Sequence, residues 1–220
     1  MTNNSIKKYR DIYVSVNGVT LTGLIQSQDP VKGVVIFSHG VSSSRFSPIN
    51  RHVADQLTSA GIATVLIDLL TPGERALSKQ QDIQSNVQLI ASRILCVIEW
   101  IKRDETLGGL PQGIFGTNIS ATAALVAAIE RTDVVSALVL SNARPDLIKE
   151  YLGQVKAPTL LIAGDKDRAQ LQWNRETLQD LGARHQLEII AGTTHDAQSP
   201  KVLEQIAAHA QQWFVQQFEQ

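Results

Sequence analysis

Gly113-Ile114-Phe115-Gly116-Thr117-Asn118-Ile119-Ser120-Ala121 passes from a short apolar run, through one polar residue, into the alanine-rich stretch 119–129. The run 113–117 reads as a buried strand. The stretch after it reads as a helix, alanine being the best helix former. Small residues on either side of Asn118 let strand and helix backbones approach closely, so the segment predicts a strand, a sharp turn and a helix. Upstream, 12–16 and 19–25 alternate around Asn17-Gly18, the signature of an antiparallel hairpin with a two-residue turn. Gly33 to Ser38 is continuously apolar, as in a central strand covered on both faces. Ser47-Pro48 opens a helical pattern that ends at Gly61, with serine as cap and proline in the first turn. A strand over 62–67 and a long helix over 83–103 follow. Downstream come a strand over 136–140, a short helix from Pro145, a strand over 158–163, a helix around 171–181, a strand over 186–190 and a final helix from Pro200.

An antiparallel start followed by alternating strands and helices predicts an α/β protein with a doubly wound, mostly parallel sheet. With 220 residues, 43% of them hydrophobic, the chain is expected to form one domain over 1–220. A formal net charge of −1 and scattered basic residues argue against nucleic-acid binding. The N-terminus lacks the apolar centre of a signal peptide and no segment is apolar enough to span a bilayer, so a cytoplasmic protein without membrane association is expected. Cys96, the single cysteine, lies in an apolar run and is expected to be a buried structural thiol. The histidines show no ligand spacing, so neither metal nor cofactor is expected. A monomer and a homodimer are equally compatible with the sequence.

In such sheets ligands bind beyond the carboxyl ends of the strands, and four strand ends carry reactive residue types. After the strand ending at Ser38, His39-Gly40-Val41 could aim the Val41 amide at a developing oxyanion; the rival reading is an ordinary polar loop. At 116–120 the spacing is that of a nucleophile elbow, G-x-S-x-G, with Asn118 in the middle and Ser120 in place of the second glycine. Asparagine tolerates the positive φ of an elbow but has no nucleophilic oxygen, so its bland reading is a helix N-cap, and that reading is preferred. Gly164-Asp165-Lys166-Asp167 could supply a carboxylate that orients a histidine, or be a plain turn. Gly192-Thr193-Thr194-His195 supplies an imidazole. The order of elbow, acid and histidine is the one an elbow-based triad requires.

With these four segments the chain resembles small α/β hydrolases of the dienelactone hydrolase type along nearly its whole length. The resemblance implies the α/β-hydrolase fold with no inserted lid domain and a comparatively open pocket for a small-molecule ligand or ester-like substrate. It also implies Asp167 as acid, His195 as base, the backbone amides of Val41 and Ile119 as oxyanion donors, and Asn118 at the position of the usual Ser or Cys. In a serine hydrolase, deleting the nucleophile costs on the order of 10⁶ in turnover, so weak or lost ester hydrolysis is expected. The alternative is an active hydrolase of esters or lactones using Ser120 or a water activated by His195. Some members of the fold carry aspartate at the elbow, which deamidation of Asn118 would generate; the branched Ile119 argues for a slow reaction. Arg45, Arg51 and Arg144 near the strand ends could hold a ligand carboxylate or form ordinary surface ion pairs.

Overall fold

A computed structural model describes residues 6–39, 44–78, 80, 82–194 and 199–219. Strands β1 (Lys8–Val16) and β2 (Val19–Ser27) form the expected hairpin, with Asn17 and Gly18 both at positive φ (45° and 82°). The chain continues through β3 (Gly33–Ser38), α1 (Pro48–Ser59), β4 (Ile62–Ile67), α2 (Pro72–Leu77), α3 (Ile83–Lys102), β5 (Gln112–Thr117), α4 (Ile119–Glu130) and β6 (Val135–Ser141). A 3₁₀ segment (Pro145–Gln154), β7 (Thr159–Gly164), α5 (Arg168–Asp180), β8 (His185–Ile190) and α6 (Pro200–Phe218) complete it. The eight strands form one sheet in the order β1-β2-β4-β3-β5-β6-β7-β8, antiparallel at β1/β2 and β2/β4 and parallel elsewhere.

Period-2 alternation divides the core into two layers. Val34, Ile36, Ile114, Leu138 and Leu140 face α3 and α4, whereas Val35, Phe37, Phe115, Ala137 and Val139 face α1 and α6. Every residue of β3, β4, β5 and β7 is buried, which is why these strands read as continuous apolar runs. Phe37 and Phe115 meet across the β3/β5 pair with ring centroids 5.1 Å apart. No inserted lid domain interrupts the sheet among the described residues.

The structure departs from the sequence reading in three places. Helix α2 falls between the strand over 62–67 and the helix over 83–103, where the sequence reading assigns no element: none of its residues is buried, so no hydrophobic period announces it. The readable signal was the capping box Thr71-x-x-Glu74, in which Glu74 N donates to Thr71 Oγ1 (3.2 Å) and Thr71 N to Glu74 Oε2 (2.8 Å). Cys96 is half-buried rather than buried, lining a surface groove with Val14, Glu99 and Trp100, because α3 turns its other faces to the sheet and to α4. The segment after Pro145 is 3₁₀ with a break at Ile148 (φ −132°).

Candidate active site

The turn between β5 and α4 is built around Asn118, whose φ of 55° and ψ of −131° lie far from the left-handed helical well near ψ of about +47°. Such backbone is sparsely populated and persists where its surroundings impose it. Here the Asn118 amide donates to Ser141 O (2.9 Å), the Ala121 amide donates to Asn118 O (3.0 Å), and Ser38 Oγ donates to Ser120 O (3.2 Å). Gly116 makes the turn possible: a Cβ there would lie 2.7 Å from Ala121 Cα, so any side chain would push the helix off the strand. The geometry is that of a nucleophile elbow.

The preferred sequence reading of Asn118 as a helix N-cap is corrected by this geometry, since its side chain makes no capping hydrogen bond. Three of the residues that do cap helices, Ser47, Thr71 and Asp82, have extended backbone with ψ of 144°, 161° and 157°. At ψ of −131° the side chain makes no bond to the amides of the second and third helical residues that a cap would engage, and it stands exposed at the strand ends. Ile119 is the first helical residue, so its N–H has no partner four residues back and suits an oxyanion donor. Ser120 is fully buried, with a hydroxyl that finds no hydrogen-bond partner among the described residues, which argues against it as nucleophile.

The ends of β7 and β8 are knitted together. Gly192 N donates to Asp165 Oδ1 (2.7 Å), Lys166 N to Thr193 O (3.0 Å) and Asp165 N to Ile190 O (3.2 Å). Gly164 has no room for a side chain, because a Cβ would lie 2.4 Å from Thr193 O. Asp165 thus anchors the loop that leads to position 195. Asp167, half-buried, caps α5 by accepting from Gln170 N (3.2 Å). The expected base His195 and oxyanion donor Val41 lie outside the described residues.

At the other side of the elbow, a polar cluster escaped the sequence reading. His39, at the end of β3, is 3% exposed, and its Nε2 lies 3.5 Å from Asp68 Oδ1 without hydrogen-bond geometry. Burial, reinforced by the Arg75 and Arg45 guanidiniums and opposed by Asp68, lowers its pKa from 6.5 to about 4, so the imidazole is neutral at ordinary pH. Asp68 follows β4 and gathers Arg45 (2.6 Å) and Arg75 (3.6 Å); the Arg45 amide also donates to it (3.3 Å). A polar residue directly after each of two adjacent buried strands was the available signal.

Of the arginines considered as ligand holders, Arg45 is therefore engaged with Asp68. Arg144 pairs with Asp146 (2.8 and 2.9 Å) and lies over the Trp173 ring at 4.1 Å. Arg51 is exposed on α1. Thr122 fixes the post-β6 loop to α4, its hydroxyl donating to Arg144 O (3.1 Å) and accepting from Arg144 N (3.2 Å). The cavity lined at these strand ends by Ser141, Asn142, Gly164, Thr193 and Thr194 holds about 30 Å³, room for about one water. Among the described residues no group of three or more His, Cys, Asp or Glu side chains could hold a metal ion, and no helix is long and apolar enough to cross a membrane.

No family model matches the chain. The crystal structure of a dienelactone hydrolase from Anabaena variabilis superposes with a TM-score of 0.90 at 38% identity, over 96% of this chain and 98% of that one. The ferulic-acid complex of Est1E from Butyrivibrio proteoclasticus superposes with a TM-score of 0.81 at 15% identity, over 95% of this chain and all of that one. That similarity is one of fold. Two Mycobacterium tuberculosis proteins, provisionally described as phosphoribosyl transferases, are 39% identical over 205 residues. The match covers 93% of this chain and 46% of theirs, so the chain spans about half the length of these relatives.

Proposed function

The chain belongs to the dienelactone hydrolase family of the α/β-hydrolase fold, and from that premise we propose a hydrolase frame in which the carboxamide of Asn118 has replaced the nucleophile. Ester hydrolysis is then weak or lost, while the strand ends retain a site for a small ester-like or carboxylic ligand. The observation that carries this reading is the backbone of Asn118: an elbow conformation with no capping hydrogen bond and an exposed side chain where a nucleophile would stand. The amide of Ile119 and the anchored loop after β8 supply the surrounding parts, with Asp167 as the acid and His195 as the base. A carboxamide offers no electron pair that this apparatus can turn into an attacking oxygen. Phosphoribosyl transfer belongs to the description of proteins of which this chain matches 46%, and it stays with those longer proteins.

The test is hydrolysis of a small activated ester by wild type, Asn118→Ser and the double variant Asn118→Ser/His195→Ala. Wild type should exceed uncatalysed hydrolysis by no more than ~10³ to 10⁴, the share left to oxyanion donors and binding when a triad is incomplete. Asn118→Ser should gain activity, up to on the order of 10⁶, and the double variant should lose the gain. A wild type that is already fully active, and to which Asn118→Ser adds nothing, would refute the proposal.

A further inference from the structure

The elbow does more to Asn118 than expose it. Rotation about Cα–C sets where the next residue's nitrogen lies relative to the side chain, and in the tetrahedral geometry at Cα that nitrogen eclipses Cβ at a ψ of about −120°. Helical ψ near about −42° and extended ψ near about +135° both hold it well away. At −131° Asn118 lies about ten degrees from eclipse, so the Ile119 nitrogen and Asn118 Cβ are almost coplanar with the Cα–C bond between them. This is the arrangement of a five-membered ring through Ile119 N, Asn118 C, Cα, Cβ and Cγ. Two further conditions for closing that ring are met. The Ile119 amide is at the first helical position, where no intrahelical carbonyl engages it, and the Asn118 carboxamide is exposed and makes no capping bond, so χ1 can turn Cγ towards the nitrogen.

We infer that Asn118 is a site of fold-accelerated deamidation. The Ile119 nitrogen attacks Asn118 Cγ, the C–NH₂ bond breaks, and the side-chain nitrogen leaves as ammonia, taking the amide proton and leaving a succinimide. Water then adds to Cγ and breaks the new bond to the Ile119 nitrogen, which recovers its proton. The main chain is restored and a carboxylate stands at the elbow; the net change is water in, ammonia out. Opening at the other ring carbonyl would reroute the main chain through Cβ, adding an atom between β5 and α4 where even a Gly116 Cβ has no room. The product is therefore an ordinary aspartate. Ile119 slows ring closure in a flexible chain, where its branched side chain must be carried into a rarely visited backbone region. In the folded protein that region is already occupied and held by the Ser141, Ala121 and Ser38 hydrogen bonds. The carboxylate so formed is a competent nucleophile where a carboxamide is not. The inference needs only the elbow backbone and holds whether or not the site turns over esters.

The experiment is to incubate the full chain at 37 °C and mildly alkaline pH, once folded and once unfolded in urea, and to follow position 118 by peptide-mapping mass spectrometry. Localisation is required because Asn17, followed by Gly18, offers an unobstructed succinimide route and reports that the chemistry proceeds in the unfolded chain. Position 118 should pass through a loss of about 17 Da to a gain of about 1 Da. It should do so about tenfold faster folded than unfolded, since the fold has prepaid a backbone state a free chain seldom visits. A rate at position 118 that is equal or slower in the folded protein overturns the inference.

Discussion

Replacing His39 by Gln removes the most perturbed titratable group beside the elbow, and its effect on stability has a definite sign and window. In the unfolded chain this imidazole takes up a proton as pH falls through 6.5; in the folded protein it does so only near pH 4, because burial and the Arg75 and Arg45 charges disfavour the imidazolium. Between those values the unfolded state binds one more proton than the native state, so stability falls as pH falls. Each tenfold change in proton affinity is worth about 1.4 kcal/mol, so the loss should reach about 3 kcal/mol at pH 4 and stop growing below it. At 3% exposure solvent offers little relief. Comparing the urea unfolding of wild type and His39→Gln at several pH values from 7.5 to 4 isolates this term, because the two proteins differ at position 39 alone. Wild type should lose about 3 kcal/mol more than the variant over that range. Parallel curves for the two proteins would mean that His39 is hydrated or protonated in the native state, and would refute the argument.

Two packing constraints yield further tests. Gly116→Ala would place a methyl group 2.7 Å from Ala121 Cα, a backbone atom that cannot step aside. It should destabilise by about 1–3 kcal/mol or more in thermal or urea unfolding, and should abolish any activity gained by Asn118→Ser. An unchanged melting curve would show that α4 has slack at its first turn. Asp165→Ala removes the carboxylate that accepts from Gly192 N at 2.7 Å. Because Asp165 is exposed, the stability loss should be about 1 kcal/mol, while amide exchange in the loop after β8 should accelerate more than in the rest of the sheet. Uniform exchange would mean that the Gly164–Thr193 contact alone holds that loop.

How far the site could be read from the chain differs from one strand end to the next. The positions of the strand-to-helix turn at Asn118 and of the turn after β7 were legible, because each follows an apolar run short enough to be a covered strand, and Gly116 and Gly164 mark the points of close approach. The role of the elbow residue was not. Sequence allowed Asn118 to be a cap or an elbow residue, two states that differ in the sign of φ and in ψ, and the backbone there is held by Ser141 on the neighbouring strand and by the missing side chain at Gly116. The His39, Asp68, Arg45 and Arg75 cluster was legible only as separate polar residues for a related reason: its members follow β3, precede α1, follow β4 and lie on α2, and only the parallel pairing of β3 with β4 makes them neighbours.

By itself the sequence determined the alternation of elements, the hairpin register through Asn17-Gly18, and hence the mostly parallel sheet whose carboxyl ends must carry the site. These follow from local periodicity and turn chemistry, which act within a few residues. Tertiary structure decided which polar residues are buried, which arginines are already paired, and that Asn118 stands in an elbow. Burial, ion pairing and an imposed backbone angle are set by atoms distant in the chain, and no local pattern encodes them.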